Sequence, residues 1–215
     1  MSAVMTIDVW SDVVCPFCYL GARHLQRAIE QFEHAERVVI RHRAFELDPS
    51  ARLHYDYPLA ELVARKYSMS VEQADESQRR LEGEAANLGM AWNMKAAQHT
   101  NTFDAHRLIA HASAHHCAPE VSESLFRAYF CEGLLVSDRS VLVAVGEAHG
   151  LADVNDVLQS DRYVSEVRDD ESRAMDLGIG GVPAFLIDEK FLVTGAQPPK
   201  QLLSVLQRAW ARRAS

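Results

Sequence analysis

The sequence lacks several features that would point to a membrane, an export route or a nucleic acid. No apolar run approaches the ~20 residues of a membrane-spanning helix. The first residues show neither the basic region nor the apolar segment of a secretion signal. The formal net charge is −8, and no basic cluster is interleaved with aromatic residues. We therefore expect a cytoplasmic protein with no membrane partner and no nucleic-acid partner.

Cysteine is also scarce. Four cysteines in 215 residues are too few for a disulfide scaffold. Two of them nevertheless lie three positions apart, in the segment Cys15-Pro16-Phe17-Cys18. This pair carries the strongest functional signal in the chain.

The order of predicted elements indicates an α/β protein. β-Branched and aromatic residues predict a strand from Met5 to Trp10, and apolar residues at helical spacing predict a helix that begins at Pro16. Strand and helix periodicities alternate again near the end of the chain. The other predicted elements outside the middle region are a strand over 37–45, an antiparallel hairpin over 184–187 and 191–194, and a final helix after Pro198-Pro199.

The middle of the chain shows helical periodicity and no convincing strand. Ser70 and Gln73 form the signature of a capping box at the start of one of its helices. Neither outer part could bury its strands alone, so we expect the two to form one sheet that is interrupted by helices. The predicted organisation is an N-terminal βαβ part over 1–57, an inserted all-helical domain over 58–177 and a C-terminal ββα part over 178–215.

The spacing of Cys15 and Cys18 suits thiol chemistry. The thiolate is the reactive form of cysteine, and the unpaired N–H groups and positive dipole at a helix N-terminus favour it. Cys15 is predicted at that position, and Cys18 lies one turn later on the same face, so the pair can supply an attacking and a resolving thiol. Half of a zinc site has the same spacing, but the rival cluster His115-His116-Cys117 lies in another segment. We therefore expect no metal.

A second element is the loop that ends in Val182-Pro183. A proline between a glycine-rich loop and an apolar strand is a candidate for a cis peptide bond, although a turn with a trans proline fits the same residues. In a thioredoxin-type sheet such a loop lies beside the dithiol. The backbone of Val182 could then pair with an extended substrate, as an added strand does.

Several segments resemble the FrnE-like branch of the DsbA family, in the thioredoxin superfamily. These segments follow one another in the same order as in the family, and the resemblance covers nearly the whole chain. The resemblance implies a thioredoxin fold with a large all-helical insertion, a cis-proline loop at Pro183, and dithiol–disulfide exchange with Cys15 as nucleophile and Cys18 as resolving thiol. The segments are Ile7-Asp-Val-Trp-Ser-Asp-Val-Val-Cys-Pro-Phe-Cys-Tyr-Leu-Gly21, Asn101-Thr-Phe-Asp-Ala-His-Arg107, Gly181-Val-Pro-Ala-Phe-Leu-Ile187 and Val193-Thr-Gly-Ala-Gln-Pro198.

The resemblance also implies the partners. The substrates would be disulfides of proteins or small molecules, and a cellular thiol reductant would recycle the enzyme. We expect no bound cofactor beyond the redox-active Cys15–Cys18 disulfide, with glutathione as a candidate co-substrate. The sequence does not define an oligomeric state.

Related families leave two alternatives open. Secreted DsbA oxidants carry a histidine between the cysteines, whereas Phe17 supplies no charge, so the resemblance implies a less oxidising pair and a reducing or isomerising role. 2-Hydroxychromene-2-carboxylate isomerases and kappa glutathione transferases typically carry serine in place of Cys15 and an acidic residue in the loop that reads Gly195-Ala196-Gln197 here. One alternative is a glutathione-dependent isomerase or transferase acting on an aromatic or polyketide-like compound, and these two differences weigh against it without excluding it. The other is a non-catalytic, chaperone-like binding module.

Further residues are candidates for the site. Asp8, on the first strand, is a candidate proton acceptor beneath the dithiol, with Asp12 as its competitor and a solvent-facing carboxylate or a loop cap as the structural alternative. A helix of the insertion begins with polar and aromatic residues that could face the dithiol or serve only in capping and packing. The substrate-binding candidates are Pro16, Phe17, Val182 and Pro183, together with His99, Asn101 and Phe103.

Two remaining groups are expected to be structural. His111 and His115 have a spacing that can bind metal, but no acidic base lies between them, and we expect them on a solvated helix face. Cys117 and Cys131 lie in separate helical segments and are predicted to pack as small apolar side chains. They could form a second redox pair only if their Cα atoms approach within ~7 Å.

Overall fold

The computed structural model describes residues 4–213, and in that range the strands form one four-stranded sheet in the order β2-β1-β3-β4. β1 (Met5–Ser11) pairs in parallel with β2 (Val38–Ala44). On its other side β1 pairs antiparallel with β3 (Ala184–Ile187), which pairs antiparallel with β4 (Phe191–Thr194). The predicted α/β fold, a single sheet with its helical insertion, is therefore confirmed.

Nine α-helices lie within the described residues. Within these described residues, the middle of the chain contains helices and no strand, as its periodicity predicts. The shortest of them has only six residues, too few for a periodic pattern in the sequence. The helices are α1 (Pro16–Glu30), α2 (Leu59–Tyr67), α3 (Val71–Asn87), α4 (Phe103–Ala114), α5 (Ala118–Phe130), α6 (Arg139–Ala148), α7 (Val154–Gln159), α8 (Val164–Asp176) and α9 (Pro199–Ala211).

The chain divides into two compact units. The sheet unit contains the residues up to Leu47 together with those from Ser165 onward, and the helical unit is Asp48–Val164. These borders differ from the predicted ones, because α8 belongs with the sheet. Trp10 Nε1 donates to the carbonyl of Asp170 at 2.9 Å, and the Asp170 carboxylate accepts from the amide of Ala44 at 3.1 Å. These bonds fix α8 on β1 and β2.

Different helices cover the two faces of the sheet. Alternate residues of a strand point to opposite faces, so β1 presents an apolar row to one side and Asp8 and Trp10 to the other. On the second side Trp10 packs with Ala174 of α8 and with Leu186 of β3. The first side forms the larger apolar core with α1 and α9, from Met5, Ile7, Val9, Leu25, Ala28, Phe32, Phe185, Ile187, Leu202, Leu206 and Ala209.

In the helical unit, α3 begins with a side-chain cap. The Ser70 hydroxyl accepts from the amide of Gln73 at 3.2 Å, and Gln73 Oε1 accepts from the amide of Ser70 at 2.9 Å, which confirms the predicted capping box. α2 packs on α3, while α4 contacts α5, α6 and α7. Over residues 4–213, no helix combines the length and the apolar character needed to traverse a bilayer.

Candidate dithiol site

Cys15 and Cys18 lie where the β1–α1 loop enters the helix. Cys15 is the N-cap residue of α1, and Pro16 takes the first helical position, where its missing N–H costs no hydrogen bond. The amide of Cys18 donates to the carbonyl of Cys15 at 3.0 Å, and the two free thiols are in hydrogen-bond contact. Cys15 and Cys18 are 3% and 1% exposed, whereas Phe17 between them is 50% exposed. The helix start therefore holds two unlinked sulfurs within reach of each other.

The environment of Cys18 keeps this residue protonated. Burial raises the pKa of the Cys18 thiol well above its ordinary value, and the hydrogen bond and negative charge of Cys15 raise it further. The amide of Asp12 lies 3.4 Å from Cys18 Sγ and opposes this shift, but it does not cancel it. Of the two sulfurs at the start of α1, Cys18 is therefore the one that its surroundings hold as a thiol.

The Val182–Pro183 peptide bond is cis, as the sequence allowed, and its loop contacts the first cysteine. Cys15 Sγ donates to the carbonyl of Val182 at 3.7 Å. The carbonyl of Pro183 accepts from the amide of Gly195 at 2.8 Å, which joins the loop to the residue after β4. The loop thus places backbone hydrogen-bonding groups beside Cys15.

Gly21 permits the close packing of α1 against this loop. A Cβ atom at this position would lie 2.9 Å from Cγ of Pro183 and 3.3 Å from the ring of Phe185. Any larger residue would therefore push Pro183 away from the helix. Sequence reasoning gave Gly21 no role, because a glycine inside a helical pattern carries no sign of what approaches it.

The structure distinguishes the two candidate proton acceptors. Asp8 is fully buried, and its Oδ1 accepts from Nε of Arg43 at 2.7 Å. Asp12, in the β1–α1 loop, accepts from the amide of Leu47 at 2.7 Å, and its negative charge raises the pKa of Cys18. Asp12 thus lies beside Cys18, with its amide 3.4 Å from Cys18 Sγ, whereas Asp8 forms an ion pair with Arg43 of the neighbouring strand.

The candidates from the insertion all have partners inside the helical unit. Asn101 Oδ1 accepts from the amide of Phe103 at 3.0 Å, so Asn101 caps the start of α4. His99 Nε2 lies 3.8 Å from a carboxylate oxygen of Asp48, and its ring centroid is 5.3 Å from that of Tyr55. These contacts account for capping and packing. A role of His99, Asn101 and Phe103 in substrate binding stays a prediction.

The remaining histidine and cysteine candidates differ from expectation in one respect. His111 is fully buried, so its predicted position on a solvated face is wrong, because α7 and the segment before it pack against α4. His115, one turn later, is exposed as expected. Cys117 and Cys131 are half-buried, and neither forms a disulfide within the described residues.

Comparison with known proteins gives a consistent family. The model of the DSBA-like thioredoxin domain matches residues 6–207. The crystal structure of the probable DsbA oxidoreductase SCO1869 from Streptomyces coelicolor is 34% identical, with a TM-score of 0.92 over 96% of this chain and 90% of that chain. The uncharacterized protein YwbO of Bacillus subtilis (strain 168) is 27% identical over 187 residues, which is 85% of this chain and 86% of YwbO.

A more distant structure shares the fold. The cytosolic disulfide reductase DsbM from Pseudomonas aeruginosa is 17% identical, with a TM-score of 0.63 over 98% of this chain and 100% of DsbM. A structure of DsbM with GSH has the same TM-score. At this identity the likeness shows the fold alone.

Proposed function

The chain belongs to the DSBA-like thioredoxin domain family, and we propose that it is a thiol–disulfide oxidoreductase that acts through Cys15 and Cys18. One observation carries the proposal. Two thiols in contact lie at the start of α1, and the first of them lies 3.7 Å from the backbone carbonyl that precedes Pro183. A binding module or a glutathione-dependent isomerase would not require the second thiol.

In the first step the Cys15 thiolate attacks one sulfur of a substrate disulfide. A bond forms between Cys15 Sγ and that sulfur, the substrate S–S bond breaks, and the other substrate sulfur leaves as a thiolate. The backbone of Val182 can pair with an extended substrate segment beside the attacked bond. Pro16 and the exposed ring of Phe17 flank the attack with apolar surface. Cys15, Pro16, Phe17, Val182 and Pro183 are thus the proposed substrate-contacting set.

In the second step Cys18 resolves the mixed disulfide. Its thiol loses a proton, the resulting thiolate attacks Cys15 Sγ, and the bound substrate sulfur leaves as a thiolate. The substrate has then gained two electrons, and the enzyme holds a Cys15–Cys18 disulfide. Because the pKa of Cys18 is raised, this proton needs an acceptor, and the Asp12 carboxylate is the proposed one.

The direction of the cycle depends on the partner thiols. Phe17 places no charge between the cysteines, which favours a pair that is less oxidising than one containing histidine. The fold neighbour DsbM is named a cytosolic disulfide reductase and has a structure with GSH. We therefore propose reduction of protein or small-molecule disulfides as the working direction, with glutathione as the candidate recycling thiol.

Two cysteine variants test the proposal. Cys15→Ser should abolish insulin reduction, whereas Cys18→Ser should accumulate a mixed disulfide that mass spectrometry locates on Cys15. Cys117→Ser, which removes a half-buried thiol of the helical unit, is the matched control and should retain activity. Insulin reduction that survives Cys15→Ser unchanged would exclude the proposed chemistry. Glutathione-dependent isomerisation that persists in Cys18→Ser would favour the isomerase instead.

A further inference from the structure

Three potential metal ligands converge in the helical unit. His111 and His115 lie one turn apart at the C-terminal end of α4, and Asp153 immediately precedes α7. One ligand atom from each side chain can be chosen so that all three lie within 4.8 Å of one another. The third ligand is 42 positions away from His111 in the sequence. The histidine spacing alone therefore gave no sign of it.

The geometry is close to what a small divalent ion requires. His111 Nε2 lies 2.8 Å from Asp153 Oδ1, and the rings of His111 and His115 are 4.7 Å apart at an angle of 72°. Zinc lies about 2.0–2.2 Å from histidine nitrogen and carboxylate oxygen, so two of its ligand atoms are separated by roughly 3–4 Å. The spread of up to 4.8 Å exceeds this range and the His111–Asp153 distance is just below it, so binding requires His115 to turn inward and the His111–Asp153 pair to open slightly.

The surroundings orient two of the ligands for coordination. The Tyr163 hydroxyl lies 3.2 Å from His111 Nδ1, so a proton on Nδ1 can be donated to Tyr163 while the lone pair of Nε2 faces Asp153. Arg162 Nη1 donates to Asp153 Oδ2 at 2.9 Å, which leaves Oδ1 for an ion. Such second contacts to ligand side chains are a regular feature of metal sites.

Arg162 places a positive charge near the three ligands, because its Nη1 donates to Asp153. This charge limits the affinity to be expected for a cation.

We propose that His111, His115 and Asp153 bind one divalent transition-metal ion, with Zn²⁺ as the representative of the class. Imidazole and carboxylate together suit borderline ions of this kind. Three protein ligands leave a fourth position for water. The ion would link the end of α4 to the residue before α7 and so stabilise this part of the helical unit. The proposal replaces the expectation of no metal and does not depend on the proposed redox function.

Calorimetric titration with Zn²⁺ tests the site. The Cys15→Ser/Cys18→Ser double variant is the parent, because the dithiol could itself bind zinc. We expect one equivalent to bind and to raise the melting temperature of this parent by mass action. His115→Ala should abolish both effects, since His115 is exposed and its loss leaves the core intact. Tyr163→Phe should weaken binding by roughly 10–100-fold.

His116→Asn is the matched control. It removes an exposed imidazole from the residue next to His115, and asparagine tolerates the left-handed backbone there, where φ is 61°. This variant should bind zinc as the parent does. Asp153→Asn, which retains a side-chain oxygen for Arg162, provides a second ligand variant should His115→Ala fail to fold. The proposal is overturned if the parent binds no equivalent of zinc, or if His115→Ala and Asp153→Asn bind it with the affinity of the parent.

Discussion

The two faces of the sheet are made by the same strands and yet contain different chemistry. Toward α1 and α9 the strands present mainly apolar side chains, such as Ile7, Phe185 and Ile187. Toward α8 the same β1 presents the buried Asp8, which pairs with Arg43 of β2. Arg43 Nη1 also donates to Asp170 of α8 at 2.9 Å. The alternation of side chains along β1 thus separates an apolar core from a charged network.

The comparison shows that the two faces are stabilised in different ways. The apolar face depends on area removed from water, so each side chain contributes nearly on its own. On the charged face each group depends on its partners. Burial raises the pKa of Asp170, and the Ala44 amide and the Arg43 charge only partly oppose that shift. Loss of one partner there leaves a desolvated charge behind.

The largest expected effect comes from breaking the charged network. Arg43→Met should lower the free energy of unfolding at pH 7 by about 3–5 kcal/mol, because Asp8 is left buried without a counter-charge. The loss should be smaller at pH 4.5, because burial raises the pKa of Asp170, and without the opposing Arg43 charge this carboxyl takes up a proton more readily. Urea unfolding at the two pH values measures both.

The matched variant lies on the apolar face. Leu202→Ala should cost about 2–5 kcal/mol, because Leu202 is fully buried and the substitution leaves a cavity. That loss should be the same at both pH values, since no charged group is exposed or buried by the change. A loss in Arg43→Met that is equally independent of pH would show that the two faces are stabilised alike.

A second prediction concerns the acceptor of the Cys18 proton, which lies either in the β1–α1 loop or on the charged face. Asp12→Asn should slow the resolution of the mixed disulfide by about 10²-fold, because the proposed acceptor of the Cys18 proton is lost. Asp8→Asn should affect stability more than this rate, since Asp8 is held by Arg43. Quenched-flow analysis of mixed-disulfide decay measures the rate in each variant. If Asp8→Asn slows the step more than Asp12→Asn, the proton passes through the charged face instead.

The smallest expected effect is on the free energy of unfolding at alkaline pH. The pKa of Cys18 is raised in the reduced, folded protein, so the folded state holds this proton more tightly than the unfolded chain does. That stabilisation is fully present below the unfolded thiol pKa, about 8.5, and is lost as the pH rises through the folded value. Between these two pKa values the free energy of unfolding should fall by up to about 1.4 kcal/mol per pH unit more in the reduced protein than in Cys18→Ser. If the free energy of unfolding depends on pH in the same way in the reduced protein and in Cys18→Ser, a raised pKa of Cys18 is contradicted.

The local sequence predicts the dithiol region well, because its signals lie within one turn of each other. The strand, Pro16 and the spacing of Cys15 and Cys18 each constrain the backbone directly. The same holds for Ser70, whose capping partner is three residues away.

The features that were missed depend on distant partners. Asp153 approaches His111 only after α7 packs on α4, and α7 itself has six residues, too few for a periodic pattern. Gly21 is explained by Pro183, which is far away in the sequence. Asp8 could be assigned only once the partner strand placed Arg43 beside it. Such contacts join residues that are far apart in the sequence, and a single sequence does not show which distant residues become neighbours.

The position of β1 in the centre of the sheet has a consequence for biosynthesis. The amide of Thr6 donates to Asp188, 182 positions further along the chain, and β1 pairs with β3 in the same region. The central strand therefore leaves the ribosome long before β3, one of its two neighbours. The whole helical unit, which is continuous in sequence, is synthesised between them. Until β3 arrives, one edge of β1 stays open in the nascent chain, and an open strand edge favours aggregation.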